Sequence, residues 1–142
     1  KDLEAAHLRP TPRVREAEIL RRHLPSAMVD VSDGFAADLG HLCASSGVGA
    51  TVEAAALAVP ELSGTGLALD PLELALYGGE DYELCFTIPA DRAPRAAREV
   101  EAGTGTRVHA VGGITERAAG LQLARDGETE PLRATGWDHF RR

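Results

Sequence analysis

Apolar positions recur along this chain with two periods, one typical of helices and the other of strands. Spacings of three and four residues predict helices over residues 13–24, 35–43, 71–77 and 92–102. Short apolar or β-branched runs predict strands over residues 27–31, 48–52, 82–88 and 107–115. The dipeptide Asp126-Gly127 predicts the turn of a closing hairpin. This order of elements is typical of a layered mixed α/β or α+β fold.

Composition narrows the class of protein. The 142 residues are 44% hydrophobic and 26% charged, a balance that predicts one globular domain with a core of its own. Aromatic residues make up only 4%, so the core must consist mostly of Ala, Leu and Val. The two cysteines, Cys43 and Cys85, stand in apolar surroundings without CxxC spacing, so we expect buried free thiols and no metal site at either.

Charge and hydropathy exclude two classes of partner. The formal net charge is -7, so the chain offers no basic face for nucleic acid. No stretch approaches the roughly 20 apolar residues of a membrane span. The first ten residues, KDLEAAHLRP, lack the apolar core of a signal peptide. We therefore expect a cytoplasmic protein without a nucleic-acid or membrane partner.

Two carboxylates and a hydroxyl stand together in the segment AMVDVSDGFAADLGHLC, at the end of a predicted strand. Because side chains alternate along a strand, Asp30 and Ser32 are expected on one face, with Val31 in the core. Asp33 then lies at the following turn. Mg²⁺ prefers carboxylate oxygen, and a hydroxyl near the first amides of a helix suits phosphate. The alternative is that Ser32 or Asp33 only caps the helix that follows, and spacing alone leaves both interpretations open.

A second acidic segment, YGGEDYE, joins two glycines to three carboxylates before a predicted strand. Gly78 and Gly79 would let the backbone approach a ligand closely. Alternatively, they simply end a helix and leave Glu80 and Asp81 on the solvated surface. Near the end of the chain lies the single tryptophan, Trp137, within GWDHF. This side chain either docks into the core or stacks on a planar ligand.

The motifs DVSDG, GFAADLGH, ALYGGEDYELCFT and GWDHF together resemble the C-terminal half of the thiamine-monophosphate kinase family. The resemblance runs from LRPTPR to GWDHF, and GGEDYEL is a specific signature. That family belongs to the aminoimidazole ribonucleotide synthetase-like superfamily. The resemblance therefore implies an α+β fold in which helices cover one face of a mixed β-sheet. It also implies an N-terminal linker and helix at residues 1–25, and a substrate- and Mg·phosphate-binding domain at residues 26–142 of a longer enzyme whose N-terminal ATP-binding half is absent.

The activity implied by the resemblance is the ATP-dependent phosphorylation of thiamine monophosphate to thiamine diphosphate. By motif position, Asp30 and Asp33 would be Mg²⁺ ligands, and Ser32 would contact ATP. Glu80 and Trp137 would bind the thiamine substrate. No nucleophilic side chain is required, because phosphoryl transfer needs positioning and charge neutralisation more than covalent chemistry. The longer enzyme would be a homodimer, and the present chain alone would be inactive.

Two other hypotheses stay open from the sequence. In the first, the chain is part of a sister enzyme of the superfamily that acts on another phosphorylated small molecule. In the second, it is a non-catalytic module that holds a thiamine phosphate or a nucleotide without transfer. Calorimetry with thiamine monophosphate, against aminoimidazole-type ribonucleotides, separates these hypotheses by ligand preference.

Overall fold

The computed structural model describes residues 8–62, 66 and 68–135 of the chain. The helices among them are α1 (Val14–Arg21), α2 (Phe35–Ser46), α3 (Pro71–Tyr77) and α4 (Ala93–Thr104). The strands are β1 (Ala27–Asp30), β2 (Val48–Glu53), β3 (Leu84–Thr87), β4 (Gly112–Glu116), β5 (Leu121–Arg125) and β6 (Glu128–Pro131). Short 3₁₀ turns follow β2 at Ala54–Ala56 and β4 at Arg117–Ala119. Each predicted helix and strand is present, although the strand predicted over 107–115 begins only at Gly112.

The described strands form two sheets. β1 and β3 pair antiparallel, with Val29 opposite Cys85 and Asp30 opposite Leu84. The other sheet has the order β4-β2-β5-β6, in which β2 runs parallel to β5 while the outer pairs are antiparallel. This mixed sheet, together with the helices packed on it, confirms the predicted α+β class.

Two hydrophobic clusters pack against the β1–β3 pair. The larger cluster joins α2 and α3 to both sheets, and its buried members are Val31, Ala36, Leu39, Leu42, Cys43, Ala50, Val52, Leu76, Cys85, Leu123 and Leu132. The smaller cluster lies between α1 and α4, and its buried members are Ile19, Leu20, Ala96 and Val100. The alternation of side chains along β1 explains why there are two separate clusters on its two faces. Val29 packs on the larger cluster, and its neighbour Met28 packs on the smaller one. The β1–β3 pair is therefore supported on both faces.

Both cysteines are free and buried, as the sequence predicts. Desolvation by burial, and then the proximity of Cys43 and Asp38, raise the pKa of Cys85 to about 11. A thiol with so high a pKa is a poor nucleophile, so Cys85 serves the packing of the core.

Local sequence signals account for several ends of elements. Asp70 caps α3 by accepting a hydrogen bond from the Leu72 amide at 2.8 Å, and Pro71 takes the first helical position. The β5–β6 hairpin turns at Asp126 (φ 52°) and Gly127 (φ 84°), the two positive φ angles that a type I′ turn requires. The helices in the described ranges are short, and none is long and apolar enough to cross a membrane.

Candidate functional site

The two acidic motifs of the sequence lie side by side in the structure. We call residues 30–33, at the end of β1, the Asp turn, and residues 78–83, before β3, the acidic loop. The Glu80 amide donates to the Ser32 carbonyl at 2.8 Å, and the Tyr82 amide donates to the Val31 carbonyl at 2.8 Å. In return, the Val31 amide donates to the Glu83 carbonyl at 2.8 Å. These bonds continue the β1–β3 pairing beyond the strands, so two segments far apart in sequence form one site.

Two glycines make this contact possible. A Cβ atom on Gly79 would lie 2.8 Å from the Ser32 carbonyl oxygen, closer than side-chain carbons approach. Gly34, directly after the Asp turn, has a φ of 115°, and a Cβ atom there would lie 3.1 Å from the Tyr77 carbonyl oxygen. Gly78 ends α3, as one of the two interpretations of Gly78 and Gly79 predicted. Gly79 has a different role, since its missing side chain lets the acidic loop backbone approach the Asp turn backbone.

A carboxylate in the first turn of α2 binds the backbone amides of the Asp turn. Gly34 occupies the N-cap position of α2 and offers no side chain, so the prediction that Ser32 or Asp33 caps this helix is wrong. Instead, the Oδ2 atom of Asp38 accepts hydrogen bonds from the Ser32 amide at 2.9 Å and the Asp33 amide at 3.0 Å. Asp38 is only 3% exposed. An acidic residue in the first turn that reaches back to preceding amides is a known sequence signal, and this signal could have identified Asp38.

The bonds from Asp38 leave the side chains of the Asp turn available. Asp30 is exposed, Ser32 and Asp33 are half-buried, and Val31 is buried, as the strand alternation predicts. Within residues 8–62, 66 and 68–135, no hydrogen bond or ion pair engages the carboxylates of Asp30 and Asp33. The same ranges contain no group of three or more His, Cys, Asp and Glu side chains that could hold a metal ion. A cation held by these two carboxylates would therefore take its remaining oxygen ligands from water or from a phosphorylated ligand.

The acidic loop has an unusual backbone beside three acidic side chains. Glu80 and Tyr82 adopt φ angles of 66° and 51°, a region that residues other than glycine rarely occupy. Glu80, Asp81 and Glu83 are all exposed residues. Partial desolvation of its carboxyl group, and then the charge of Glu83, raise the pKa of Asp81. Residues in such sparsely populated backbone conformations cluster at active sites and ligand-binding segments.

A cation at the start of α1 reaches the acidic loop. Arg13 donates from Nε to Glu83 Oε2 at 2.9 Å and from Nη2 to Glu83 Oε1 at 2.6 Å, which makes a two-bond fork. The hydrogen bonding to Glu83 raises the pKa of Arg13 further above its already high ordinary value. No local sequence pattern indicates this pair, because the two residues stand 70 positions apart.

Four of the five residues that the resemblance assigns to the site lie in these two joined segments, namely Asp30, Ser32, Asp33 and Glu80. The fifth, Trp137, lies outside the described residues. The arrangement concentrates carboxylates at one end of the β1–β3 pair. Such an end suits a ligand that binds through metal cations, or a ligand that is itself cationic.

The chain matches a family model over most of its length. Residues 1–123 match the family described as AIR synthase related protein, C-terminal domain. Relatives named thiamine-monophosphate kinase include one from Escherichia coli K12, 41% identical over 138 residues, and one from Halobacterium salinarum, 37% identical over 128 residues. These alignments cover 94% and 90% of this chain and 41% of each relative. The chain thus spans about two fifths of the length of the curated relatives it matches.

Two solved structures have the same fold over this region. The crystal structure of thiamine-monophosphate kinase from Stenotrophomonas maltophilia K279a superposes with a TM-score of 0.76 at 40% identity, over 89% of this chain and 39% of that one. AaThiL, complexed with AMPPCP and TMP, superposes with a TM-score of 0.77 at 31% identity, over 97% of this chain and 41% of that one. These findings confirm the resemblance drawn from the motifs.

Proposed function

We propose, from the premise that this chain belongs to the AIR synthase related protein C-terminal domain family, that it forms the substrate- and metal-phosphate-binding part of a thiamine-monophosphate kinase. The reaction transfers the terminal phosphoryl group of ATP to the phosphate of thiamine monophosphate, which yields thiamine diphosphate and ADP. Support comes from relatives of that name at 41% identity. Further support comes from the complex of AaThiL with AMPPCP, an analogue of ATP, and TMP.

One observation carries this proposal: backbone hydrogen bonds join the Asp turn to the acidic loop. A kinase that acts on thiamine monophosphate must hold two phosphorylated groups and a cationic ring close together. Carboxylates of the Asp turn suit the cations that neutralise phosphate charge. Carboxylates of the acidic loop suit the positive charge of the thiamine ring system. The 2.8 Å bond between the Glu80 amide and the Ser32 carbonyl supports assigning both tasks to one site.

We assign Asp30 and Asp33 to Mg²⁺ and Ser32 to ATP. The two carboxylates are hard oxygen donors that have no bonding partner in the described part of the chain, which fits the ligand preference of Mg²⁺. When bound, Mg²⁺ supplies the positive charge that offsets the negative charge of the phosphates. The Ser32 hydroxyl is half-buried and can donate to a phosphate oxygen.

Glu80 and Trp137 are assigned to the thiamine substrate. The carboxylate of Glu80 complements the positive charge of the ring system, and the indole of Trp137 offers an aromatic surface for it. The attacking group is a phosphate oxygen of thiamine monophosphate itself, so the proposed reaction requires no nucleophilic side chain. The residues of this chain bind and orient the substrates, and such positioning supplies a large part of the rate enhancement.

The proposal extends to the organisation of the enzyme. Residues 1–25 would provide a linker and helix, and residues 26–142 would provide the binding domain. The remaining length of the relatives would supply the nucleotide-binding half and a homodimer interface. A cytoplasmic location and the absence of nucleic-acid and membrane partners belong to the same proposal. The net charge of -7 supports the part of it that concerns nucleic acid.

Calorimetry tests the substrate class. The 142-residue chain is titrated with thiamine monophosphate, with ATP and Mg²⁺, and with an aminoimidazole ribonucleotide. We expect thiamine monophosphate to bind in preference to the ribonucleotide. The opposite preference would indicate a sister enzyme of the superfamily. If the gene product that carries this chain binds thiamine phosphates without transferring phosphate, the chain belongs to a non-catalytic module.

Asp33→Asn tests the metal assignment in the gene product that carries this chain. We expect turnover to fall on the order of a hundredfold, because a ligand of the charge-neutralising cation is lost. The melting temperature should stay close to the wild-type value, since the Asp33 carboxylate has no partner in the described fold. The control is Asp126→Asn, which removes a 90% exposed carboxylate from the β5–β6 turn. Lower stability with normal turnover per folded molecule would contradict the assignment.

A further inference from the structure

The acidic loop is held by a side-chain network that starts on α1. In addition to its two bonds to Glu83, Arg13 donates from Nη1 to Glu16 Oε1 at 3.3 Å and to Thr106 Oγ1 at 3.3 Å. The Thr106 hydroxyl donates to the same Glu16 oxygen at 2.7 Å. One guanidinium therefore connects α1, the segment after α4 and the acidic loop.

This network fixes Arg13 more firmly than a surface ion pair would. The side chain of Arg13 is 16% exposed and that of Glu16 is 10% exposed, whereas that of Glu83 is 50% exposed. Bonds on both sides of the guanidinium leave it few other conformations, so the fork on Glu83 is formed before any ligand binds. An ion pair with one partner half in solvent adds little to global stability. The main consequence of the pair is the position of the loop.

The acidic loop needs such an anchor. The positive φ angles of Glu80 and Tyr82 cost on the order of 1 kcal/mol each unless surrounding contacts maintain them. The amides of these same two residues form the bonds to the Asp turn. Glu83 follows directly, and Arg13 holds the chain at this residue. Without Arg13, the loop is free to relax away from the Asp turn, and the charge of Glu83 stands uncompensated beside Asp81.

We propose that Arg13 is a positioning residue for the candidate site, because its fork on Glu83 holds the acidic loop against the Asp turn. The identity of the ligand that this loop binds rests on the proposed function, whereas the docking of the loop does not. Lysine can replace Arg13 only in part, since a single ammonium group keeps the charge but lacks the planar fork. Arg13 touches no substrate in this scheme. Its loss should therefore weaken the capture of the organic substrate more than it slows the chemical step.

Hydrogen exchange tests the docking without any ligand. In the 142-residue chain, the amides of Val31, Glu80 and Tyr82 report on the three bonds between the Asp turn and the acidic loop. Arg13→Met should speed the exchange of these amides about tenfold, because the loop opens more often. Amides of the β2–β5 ladder should keep their wild-type rates.

The matched control is Arg95→Met. Arg95 is 74% exposed on α4 and bonds to Glu99 at 2.8 Å, so the variant removes an arginine from an ion pair that does not involve the loop. Glu83→Met should reproduce the effect of Arg13→Met, and Arg13→Lys should restore only part of the protection. These two variants also decide the question if Arg13→Met does not fold. Unchanged exchange at the three amides overturns the proposal, as does an equal acceleration along the β2–β5 ladder.

Steady-state kinetics adds a second measurement on the gene product that carries this chain. Arg13→Met should raise the KM for thiamine monophosphate about tenfold or more, because the organic substrate meets a displaced loop. We expect kcat to fall by a smaller factor, and the KM for ATP to change by no more than about twofold. Equal losses for both substrates would overturn the positioning role. If the wild-type protein does not bind thiamine monophosphate, the proposed function fails while the exchange experiment still decides the role of Arg13.

Discussion

At the scale of single residues, the buried carboxylate of Asp38 shapes the Asp turn. It accepts the amides of Ser32 and Asp33, so the turn needs no side chain of its own to satisfy them. The carboxylates of Asp30 and Asp33 are thereby left for a ligand. Asp38, itself buried, thus governs which side chains of the turn are available to a ligand.

Asp38→Ala should lower the free energy of unfolding by about 1 to 3 kcal/mol, because two amides lose their acceptor and a buried group leaves a gap. Asp38→Asn should lose less, since its amide oxygen can still accept one or both bonds. Urea unfolding measures these differences. The control is Asp33→Asn in the same turn, which should unfold like the wild type. An Asp38→Ala variant as stable as the wild type would show that the two bonds contribute nothing.

At the scale of elements, the contact between the acidic loop and the Asp turn depends on a missing side chain. A Cβ atom on Gly79 would meet the Ser32 carbonyl oxygen at 2.8 Å and the Asp33 carbonyl carbon at 3.5 Å. Neither is the movable end of a side chain, so the backbones would have to separate.

Gly79→Ala should therefore lower the free energy of unfolding by about 1 to 3 kcal/mol and weaken the binding of thiamine monophosphate. Urea unfolding and calorimetry measure the two effects. Gly113→Ala on β4 is the matched control, because a Cβ atom there meets nothing within 4 Å. If both variants matched the wild type in stability and binding, the close approach would not constrain residue 79.

The contact between α1 and the segment after α4 makes the stability of the fold depend on pH. Desolvation by itself would raise the pKa of Glu16, but the hydrogen bond from Thr106 and the charge of Arg13 outweigh it, so the pKa is lowered. A carboxylate whose pKa is lower in the folded state adds stability above its unfolded pKa of about 4.3. That stability is lost as the pH falls through the folded pKa.

Glu16→Gln should cost about 1 to 3 kcal/mol of unfolding free energy at pH 7, because a charge-assisted network is broken. The difference from the wild type should shrink as the pH falls below 4, where the wild-type carboxylate also becomes protonated. Urea unfolding at pH 7 and at a series of acidic pH values tests this. Glu18→Gln, on the exposed face of the same helix, controls for the loss of a helical carboxylate. A difference that does not depend on pH would contradict the assigned network.

At the scale of the whole molecule, the two hydrophobic clusters described above pack against the strand pair that carries the site. The larger cluster supports the β1–β3 pair from α2 and α3, and the smaller cluster supports it from α1 and α4. The Asp turn lies at the end of β1, and the acidic loop lies directly before β3. A chain of 142 residues is long enough to bury a sizeable hydrophobic core of its own.

We therefore expect the isolated 142-residue chain to melt cooperatively and yet to form no thiamine diphosphate from ATP, Mg²⁺ and thiamine monophosphate. In-line phosphoryl transfer requires that both substrates and their metal ions be held together in one aligned site. The described residues hold no group of three or more potential metal ligands. Calorimetric melting and a chromatographic assay for the product test the two halves of this prediction. Activity equal to that of the gene product that carries this chain would contradict the second half, and a chain that never folds would contradict the first.

The sequence by itself determined the local elements of this protein. Apolar spacing located helices α1 to α4, and Asp126-Gly127 located the β5–β6 turn. Three polar residues within four positions, Asp30, Ser32 and Asp33, identified the Asp turn, because neighbours in sequence cannot avoid being neighbours in space. The strand predicted over 107–115 shows the limit of such patterns. Its register with β2 begins at Gly112, preceded by one backbone bond from the Glu53 amide to the Val111 carbonyl at 2.8 Å. A strand needs a partner strand for its backbone hydrogen bonds, and periodicity alone does not show where that partner begins.

Only the tertiary structure decided which of these elements meet. The bonds from Glu80 to Ser32 and from Arg13 to Glu83 depend on how α1 and β3 pack around β1. The use of Asp38, with Gly34 at the N-cap, depends in the same way on the path of the Asp turn. Periodicity and turn chemistry act over a few residues, because they arise from local geometry. A fork between residues 70 positions apart is set by the packing of everything that lies between them, and no short pattern contains it.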